Sequence, residues 1–91
     1  MTKRERVEEA LSEWNPDALF FDGFDDAIVG WATQFTKDPV VAYSYGKIIA
    51  ILSEDMSPQE AREYFDFNIG GSWVGENTPL ILFIVLDEED A

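Results

Sequence analysis

Seven consecutive apolar residues, from Leu80 to Leu86, interrupt an otherwise strongly charged sequence. The run is far shorter than the ~20 apolar residues that a transmembrane helix requires. A strand that is apolar throughout is instead typical of a sheet whose two faces are both covered. We therefore expect a strand over Leu80–Leu86, buried on both faces, that lies in the middle of a small sheet or beside a hairpin.

A helix start is encoded at Ser57. The sequence Ser57-Pro58-Gln59-Glu60 places a serine at the N-cap, a proline at the first helical position and a glutamate where it returns a hydrogen bond to the cap. Helical spacing continues to about Ile69, where Gly70 and Gly71 are expected to end the helix by adopting positive φ. The inner face is expected to carry Ala61, Tyr64, Phe65 and Asn68, with Arg62 and Glu63 exposed.

Hydrophobic periodicity and turn signals predict the remaining elements. Helical spacing predicts helices over Lys3–Trp14 and Tyr45–Glu54. For the second segment, a continuation of the preceding strand is the alternative, because it is rich in β-branched residues. Alternation predicts a strand over Ala27–Phe35, which a four-residue turn joins to an antiparallel strand over Val40–Tyr43. The predicted class is α+β, in the order α-β-β-α-α-β, with a three-stranded antiparallel sheet formed by the hairpin and the C-terminal strand and covered by helices.

Charge is the most unusual global property of the sequence. It contains 19 Asp and Glu but only six Lys and Arg, which gives a formal net charge of −13. A single globular domain over residues 1–91, with a flexible acidic tail at residues 87–91, is expected to have a negative field almost everywhere around it. Such a field repels nucleic acid backbones and anionic membranes. We expect a basic protein partner, no direct nucleic acid binding and no membrane binding.

The absence of cysteine and histidine narrows the available chemistry. The chain has no disulfide framework or thiolate metal site, and it lacks the commonest acid–base group and metal ligand. Pairs of carboxylates carry no weight as catalytic candidates, because 19 acids in so short a chain meet by chance. We expect no catalytic residue, no cofactor and no metal, and, without a signal-peptide pattern, an intracellular protein.

Three acids, Asp22, Asp25 and Asp26, lie within five residues and leave two interpretations open. Their oxygen ligands suit a hard cation such as Mg²⁺ or Ca²⁺, although the spacing differs from that of an EF-hand loop. The favoured interpretation is local, with Asp22 or Asp25 accepting hydrogen bonds from backbone amides in a turn before the first strand.

Three segments of the chain resemble a family of short acidic hypothetical proteins of tailed bacteriophages and prophages. These segments are Asp22–Gly30, Val41–Lys47 and Glu63–Pro79. The resemblance implies a phage origin and a location in the cytoplasm of a bacterial host, and it implies no particular activity.

The aromatic residues suggest how a partner is held. Seven Phe, three Trp and three Tyr either crowd a single core or leave some rings at an interface, where exposed aromatics commonly mark contacts. The predicted function is that of a non-enzymatic phage accessory protein that binds a host or phage protein through an acidic, aromatic-containing surface, in one version as a nucleic acid mimic. The residues assigned to this surface are Asp22, Asp25, Asp26, Trp31, Trp73 and Glu76.

Two alternatives stay open beside that function. One is a metal-dependent small-molecule binder or enzyme built around Asp22, Asp25 and Asp26. The other is a minor virion or assembly component.

Self-association is a further expectation from the sequence. If the helices leave part of the sheet or one of its edges open, a second copy is the nearest source of apolar surface. We predict a homodimer with Trp31 or Trp73 at or near the contact.

Overall fold

The computed structural model describes residues 1–71 and 73–85. The elements in chain order are α1 (Lys3–Leu11), a 3-10 turn (Asp25–Ala27), β1 (Ile28–Ala32), β2 (Val40–Ser44), α2 (Tyr45–Leu52), α3 (Pro58–Asn68) and β3 (Leu80–Leu82). The α+β class and the order α-β-β-α-α-β are thus confirmed. The tail predicted at residues 87–91 lies outside the described residues.

The sheet is mixed rather than antiparallel throughout. Its strand order is β1-β2-β3, with β1 antiparallel to β2 and β3 parallel to β2. The prediction of an antiparallel C-terminal strand was wrong because α2 and α3 lie between β2 and β3 in the chain. Such a helical crossover carries the chain back to the end of the sheet where β2 began, so the next strand runs parallel.

The centre of the sheet is β2, not the apolar run near the C-terminus. All five residues of β2 are buried, whereas β3 pairs over only three residues and Leu80 is 44% exposed. The position of this strand beside the hairpin is confirmed, and its burial on both faces was wrong. Leu82 is half-buried and Phe83 is exposed, because β3 has β2 on one side and no described strand on the other.

The hydrophobic core lies on one face of the sheet. Ile28, Tyr43 and Ile81 occupy one row across the three strands on this face. All three helices contribute to the same core, through Val7 and Leu11 of α1, Ile48 of α2, and Ala61 and Phe65 of α3. The other face carries smaller side chains on its strands, among them Gly30, Ala32, Val40 and Ala42.

Asn15 explains why α1 ends earlier than predicted. Helix α1 stops at Leu11 instead of Trp14, and the chain turns so that Asn15 is buried. The Asn15 Nδ2 group donates hydrogen bonds to the Pro39 carbonyl at 2.9 Å and to Asn77 Oδ1 at 3.0 Å. This side chain therefore ties the end of α1 to the start of β2 and to the loop before β3.

The start of α3 is as predicted. Ser57 Oγ accepts a hydrogen bond from the Glu60 N–H at 3.1 Å, and Glu60 Oε1 accepts one from the Ser57 N–H at 3.1 Å. The reciprocal pair satisfies two N–H groups that have no partner within the helix. These hydrogen bonds from Ser57 also lower the pKa of Glu60, so its carboxylate is ionised at neutral pH.

The inner face of α3 differs in part from the prediction. Ala61 and Phe65 are buried, and Arg62 and Glu63 are exposed, as expected. Tyr64 and Asn68 face outward, so their inward placement was wrong. The buried residues are spaced four apart and Ile69 continues the series, which leaves no room on the inner face for position 64 or 68.

The end of α3 also differs from the prediction. Positive φ occurs at Gly23, Gly30 and Gly75, not at Gly70 or Gly71. The Gly70 N–H donates to the Phe65 carbonyl at 2.7 Å, and a Cβ atom at Gly70 would lie 3.3 Å from the Phe65 ring. The glycine therefore permits a close approach to Phe65.

Replacing Ser57 by alanine is expected to lower the free energy of unfolding by about 1 kcal/mol, because the Glu60 N–H then loses its acceptor. Urea denaturation measures the change. Gln59→Ala, in the first turn of the same helix, is the control and should leave stability within about 0.5 kcal/mol. Equal midpoints for both variants would contradict the role of the cap.

Candidate functional site

Two of the predicted acids converge on a single arginine. The Arg4 guanidinium of α1 lies 3.7 Å from Asp22 Oδ1 and 3.8 Å from Asp25 Oδ1. Glu8 adds a third carboxylate at 3.8 Å, and the guanidinium lies over the Phe20 ring, 4.6 Å from its centroid. A single guanidinium is therefore shared by three carboxylates, which leaves a net negative charge around Arg4.

The local interpretation of these acids was wrong in its detail. Within the described part of the chain, neither Asp22 nor Asp25 accepts a hydrogen bond from a backbone amide, and the 3-10 turn that begins at Asp25 has no side-chain cap. Asp26 contributes its backbone carbonyl, which accepts a hydrogen bond from Lys3 Nζ at 3.0 Å. Within residues 1–71 and 73–85, no three acidic side chains are grouped in a way that could hold a metal ion.

Trp31 lies at the edge of the sheet, beside basic residues. Its row includes Val41, so it is on the core face of β1, where it is 45% exposed. It lines a shallow groove of about 240 Å³ together with Lys3, Arg6 and Val7. The surroundings of Trp31 are therefore cationic, unlike the acidic surface for which it was predicted.

Trp73 and Glu76 lie together in the loop that precedes β3. They line a second groove, of about 250 Å³, which includes Leu80 and Lys37. Trp73 is 73% exposed, and Glu76 Oε1 lies 3.4 Å from Lys37 Nζ. The hydrogen bond between Asn15 and Asn77 fixes this loop against the end of α1.

The six predicted residues occupy three settings, and their joint role as a partner surface stays a prediction. Asp22 and Asp25 lie beside Arg4, Trp31 lines a groove, and Trp73 and Glu76 lie near Lys37. Lys3 binds the Asp26 carbonyl and also lines the groove of Trp31, so the first two settings adjoin. Three of the four acids in the set are paired with a cation of the protein itself, which leaves them less available to a basic partner.

A different acidic and aromatic surface lies on the outer face of α3. It consists of Glu60, Glu63, Tyr64 and Phe67, which we call the α3 stripe. Residues three and four apart share a helix face, so these positions form one continuous row over two turns. All four are exposed, and Phe67 is 87% exposed. In the described part of the chain, neither Glu60 nor Glu63 has a cation within salt-bridge distance.

The α3 stripe was not predicted from the sequence, because Tyr64 was expected in the core. A signal was present, since Phe65 and Phe67 are two residues apart and point about 200° from each other around a helix. Only one of them can face the sheet. Once Ala61 and Phe65 define the inner face, Phe67 must point toward solvent.

The electrostatic setting of the stripe is strongly negative. Helix α3 contains Arg62 as its one cation, and helical spacing places Arg62 on the side away from the stripe. Asp66 lies one turn beyond Arg62, and the connection between α2 and α3 adds Glu54 and Asp55, both exposed. The stripe thus combines exposed rings with two carboxylates, of which Glu60 accepts the Ser57 N–H; neither has a cation within salt-bridge distance among the described residues.

Searches of protein-family models, curated proteins and solved structures found no match to this chain. The resemblance to phage proteins therefore stays a prediction.

The helices in residues 1–71 and 73–85 lack the combination of length and apolar character that a membrane span requires.

Proposed function

We propose that this protein is a non-enzymatic binding module that holds a basic protein partner on the α3 stripe. The observation that carries the proposal is Phe67, which is 87% exposed beside carboxylates that have no cation within salt-bridge distance among residues 1–71 and 73–85. An aromatic ring exposed on a rigid helix is costly to leave in water and supplies contact energy when it is covered.

Charge and aromatic contact have separate roles in this proposal. The net charge of −13 accelerates the approach of a basic partner and weakens binding as salt rises. The rings of Tyr64 and Phe67 provide apolar area that salt does not screen. Binding should therefore weaken at high salt through slower association more than through faster release.

The partner we propose is a nucleic-acid-binding protein of the phage or of its bacterial host, encountered in the host cytoplasm. The support is the resemblance to phage proteins together with the charge, because a basic groove evolved for phosphates also accepts a dense array of carboxylates. In this version the protein acts as a nucleic acid mimic.

A two-residue charge variant tests the proposal. Glu60→Gln with Glu63→Gln removes both carboxylates of the α3 stripe, and glutamine at position 60 preserves the capping box. A basic partner is first isolated from infected cells with the tagged protein, and its binding is then measured by titration. We expect the double variant to raise the dissociation constant for this partner about tenfold or more.

The matched control removes the same charge elsewhere. Glu9→Gln with Glu13→Gln neutralises two exposed acids on and just after α1 that have no described ion pair. The dissociation constant should change by less than about threefold, through the general field alone. Equal losses in both variants would refute a role for the α3 stripe and leave only nonspecific attraction.

We also propose that two copies of the chain associate through the edge of β3. The segment between Glu76 and Asp87 contains no ionisable side chain, so two acidic molecules approach there with the least repulsion. The other edge of the sheet is less suitable, because β1 has an irregular register between Ile28 and Gly30 and α1 packs beside it.

A further inference from the structure

We infer that the α3 stripe selects arginine over lysine, and that its partner presents two arginines about one helical turn apart. This inference rests on the proposed function, because it concerns the same surface. The feature that carries it is a repeated arrangement in which each exposed ring of α3 lies four residues after a glutamate.

The two repeats are Glu60 with Tyr64 and Glu63 with Phe67. Residues four apart on a helix have Cβ atoms about 5–6 Å apart, and side chains lean toward the N-terminus. Each ring therefore leans toward the turn that carries its glutamate, and the Glu60 carboxylate in that turn also accepts the Ser57 N–H. A flat cation that covers the ring places its N–H groups within reach of that carboxylate.

The protein already contains this combination of contacts at Arg4. The Arg4 guanidinium lies over the Phe20 ring at 4.6 Å from its centroid, with the Asp22 and Asp25 carboxylates 3.7 and 3.8 Å away. The arrangement holds an arginine that is still about one-third exposed. The α3 stripe offers the same two types of group, a ring and a carboxylate, and no cation of the described residues pairs with its glutamates.

Lysine fits this arrangement less well than arginine. A guanidinium is planar, stacks on an aromatic face and donates hydrogen bonds in the plane of its fork at the same time. An ammonium is more strongly hydrated and acts as a point charge, so it gains from the glutamates but little from the rings. The two repeats are offset by three residues, about 4.5 Å along the axis, which matches arginines three or four positions apart on a partner helix.

Two synthetic helical peptides test the inference with the full-length protein. One is an alanine-rich helix with two arginines four residues apart, and the other has lysines at the same positions. Fluorescence anisotropy at low ionic strength gives the two dissociation constants. The arginine peptide is expected to bind about fivefold more tightly, the ratio that two exposed cation–π contacts give together.

Variants of the protein locate the preference. Tyr64→Ala with Phe67→Ala should bring the ratio of the two dissociation constants close to one. The control, Phe35→Ala, removes an exposed ring far along the chain from α3 and should leave that ratio unchanged. Equal binding of both peptides to the unaltered protein would overturn the arginine preference and leave the proposed function standing. Binding of neither peptide would overturn both, and a preference that survives in the double variant would overturn the assignment to the α3 stripe.

Discussion

Replacing Tyr43 by alanine is expected to lower the free energy of unfolding by about 3–5 kcal/mol, the cost of removing a large aromatic side chain from a core. Tyr43 is fully buried in β2, the central strand, and the centroid of its ring lies 4.9 Å from that of Phe21. Its hydroxyl accepts a hydrogen bond from the Phe21 N–H at 2.9 Å. The substitution would remove packing and also leave a donor without its partner.

Two further variants separate these contributions by urea denaturation. Tyr43→Phe keeps the ring and removes the acceptor, so it is expected to cost about 1–3 kcal/mol. Tyr64→Ala makes the same tyrosine-to-alanine change on the α3 stripe, where the side chain is exposed, and is expected to cost less than about 1 kcal/mol. Similar losses at positions 43 and 64 would contradict the placement of Tyr43 at the centre of the core.

The position of Tyr43 also sets its ionisation. Burial is the main cause that raises the pKa of its phenol above the ordinary value, and the hydrogen bond from Phe21 opposes this effect. The hydroxyl therefore stays neutral at physiological pH and continues to accept the Phe21 N–H. This contact holds the segment before the 3-10 turn against the sheet, next to the acids that surround Arg4.

Local signals predicted the parts of the fold that depend on neighbouring residues. Ser57, Pro58 and Glu60 lie within four positions, so the capping box forms whatever the rest of the chain does. The hairpin strands also follow from alternation in the sequence. Their register does not, because the irregularity between Ile28 and Gly30 depends on how β1 fits against β2 and α1.

The direction and burial of β3 depend on the whole chain. Two predicted helices between β2 and the last strand already implied a crossover, and a crossover favours parallel pairing. That implication was not drawn from the sequence. The run from Leu80 was also taken as central because of its composition, yet β2 reached that position through Val41 and Tyr43, which are fully buried.

The candidate site was the hardest part to predict, since the partners of charged residues lie far apart in the chain. Arg4 pairs with Asp22 and Asp25, and Lys37 pairs with Glu76, only after folding. Some of the acids assigned to a partner surface thus have a cation of the same chain beside them, although Asp22 and Asp25 share Arg4 with Glu8. The exposure of Phe67 was predictable, because two side chains that are two positions apart on a helix cannot both face the same core.

Self-association at β3 is the other large effect that we expect. The strand lies at the edge of the sheet, and the exposed apolar residues Phe83, Ile84 and Val85 follow it directly. Antiparallel pairing of two Leu80–Val85 segments about a two-fold axis would set apolar residues opposite apolar residues along the whole contact. Trp73 lines the groove that contains Leu80, so it would lie near this contact, whereas Trp31 is at the far edge of the sheet.

We therefore expect a dimer by light scattering at about 100 μM and physiological salt, where charges beyond about 8 Å are largely screened. Two subunits of charge −13 repel each other, so the dimer should tighten as salt rises, opposite to the binding of a basic partner. Ile84→Lys should give a monomer, and Phe35→Lys, which adds the same charge at an exposed site in the β1–β2 connection, should leave the dimer intact. A protein that stays monomeric across the salt range would rule out the β3 contact, and a dimer that survives Ile84→Lys would place the contact elsewhere.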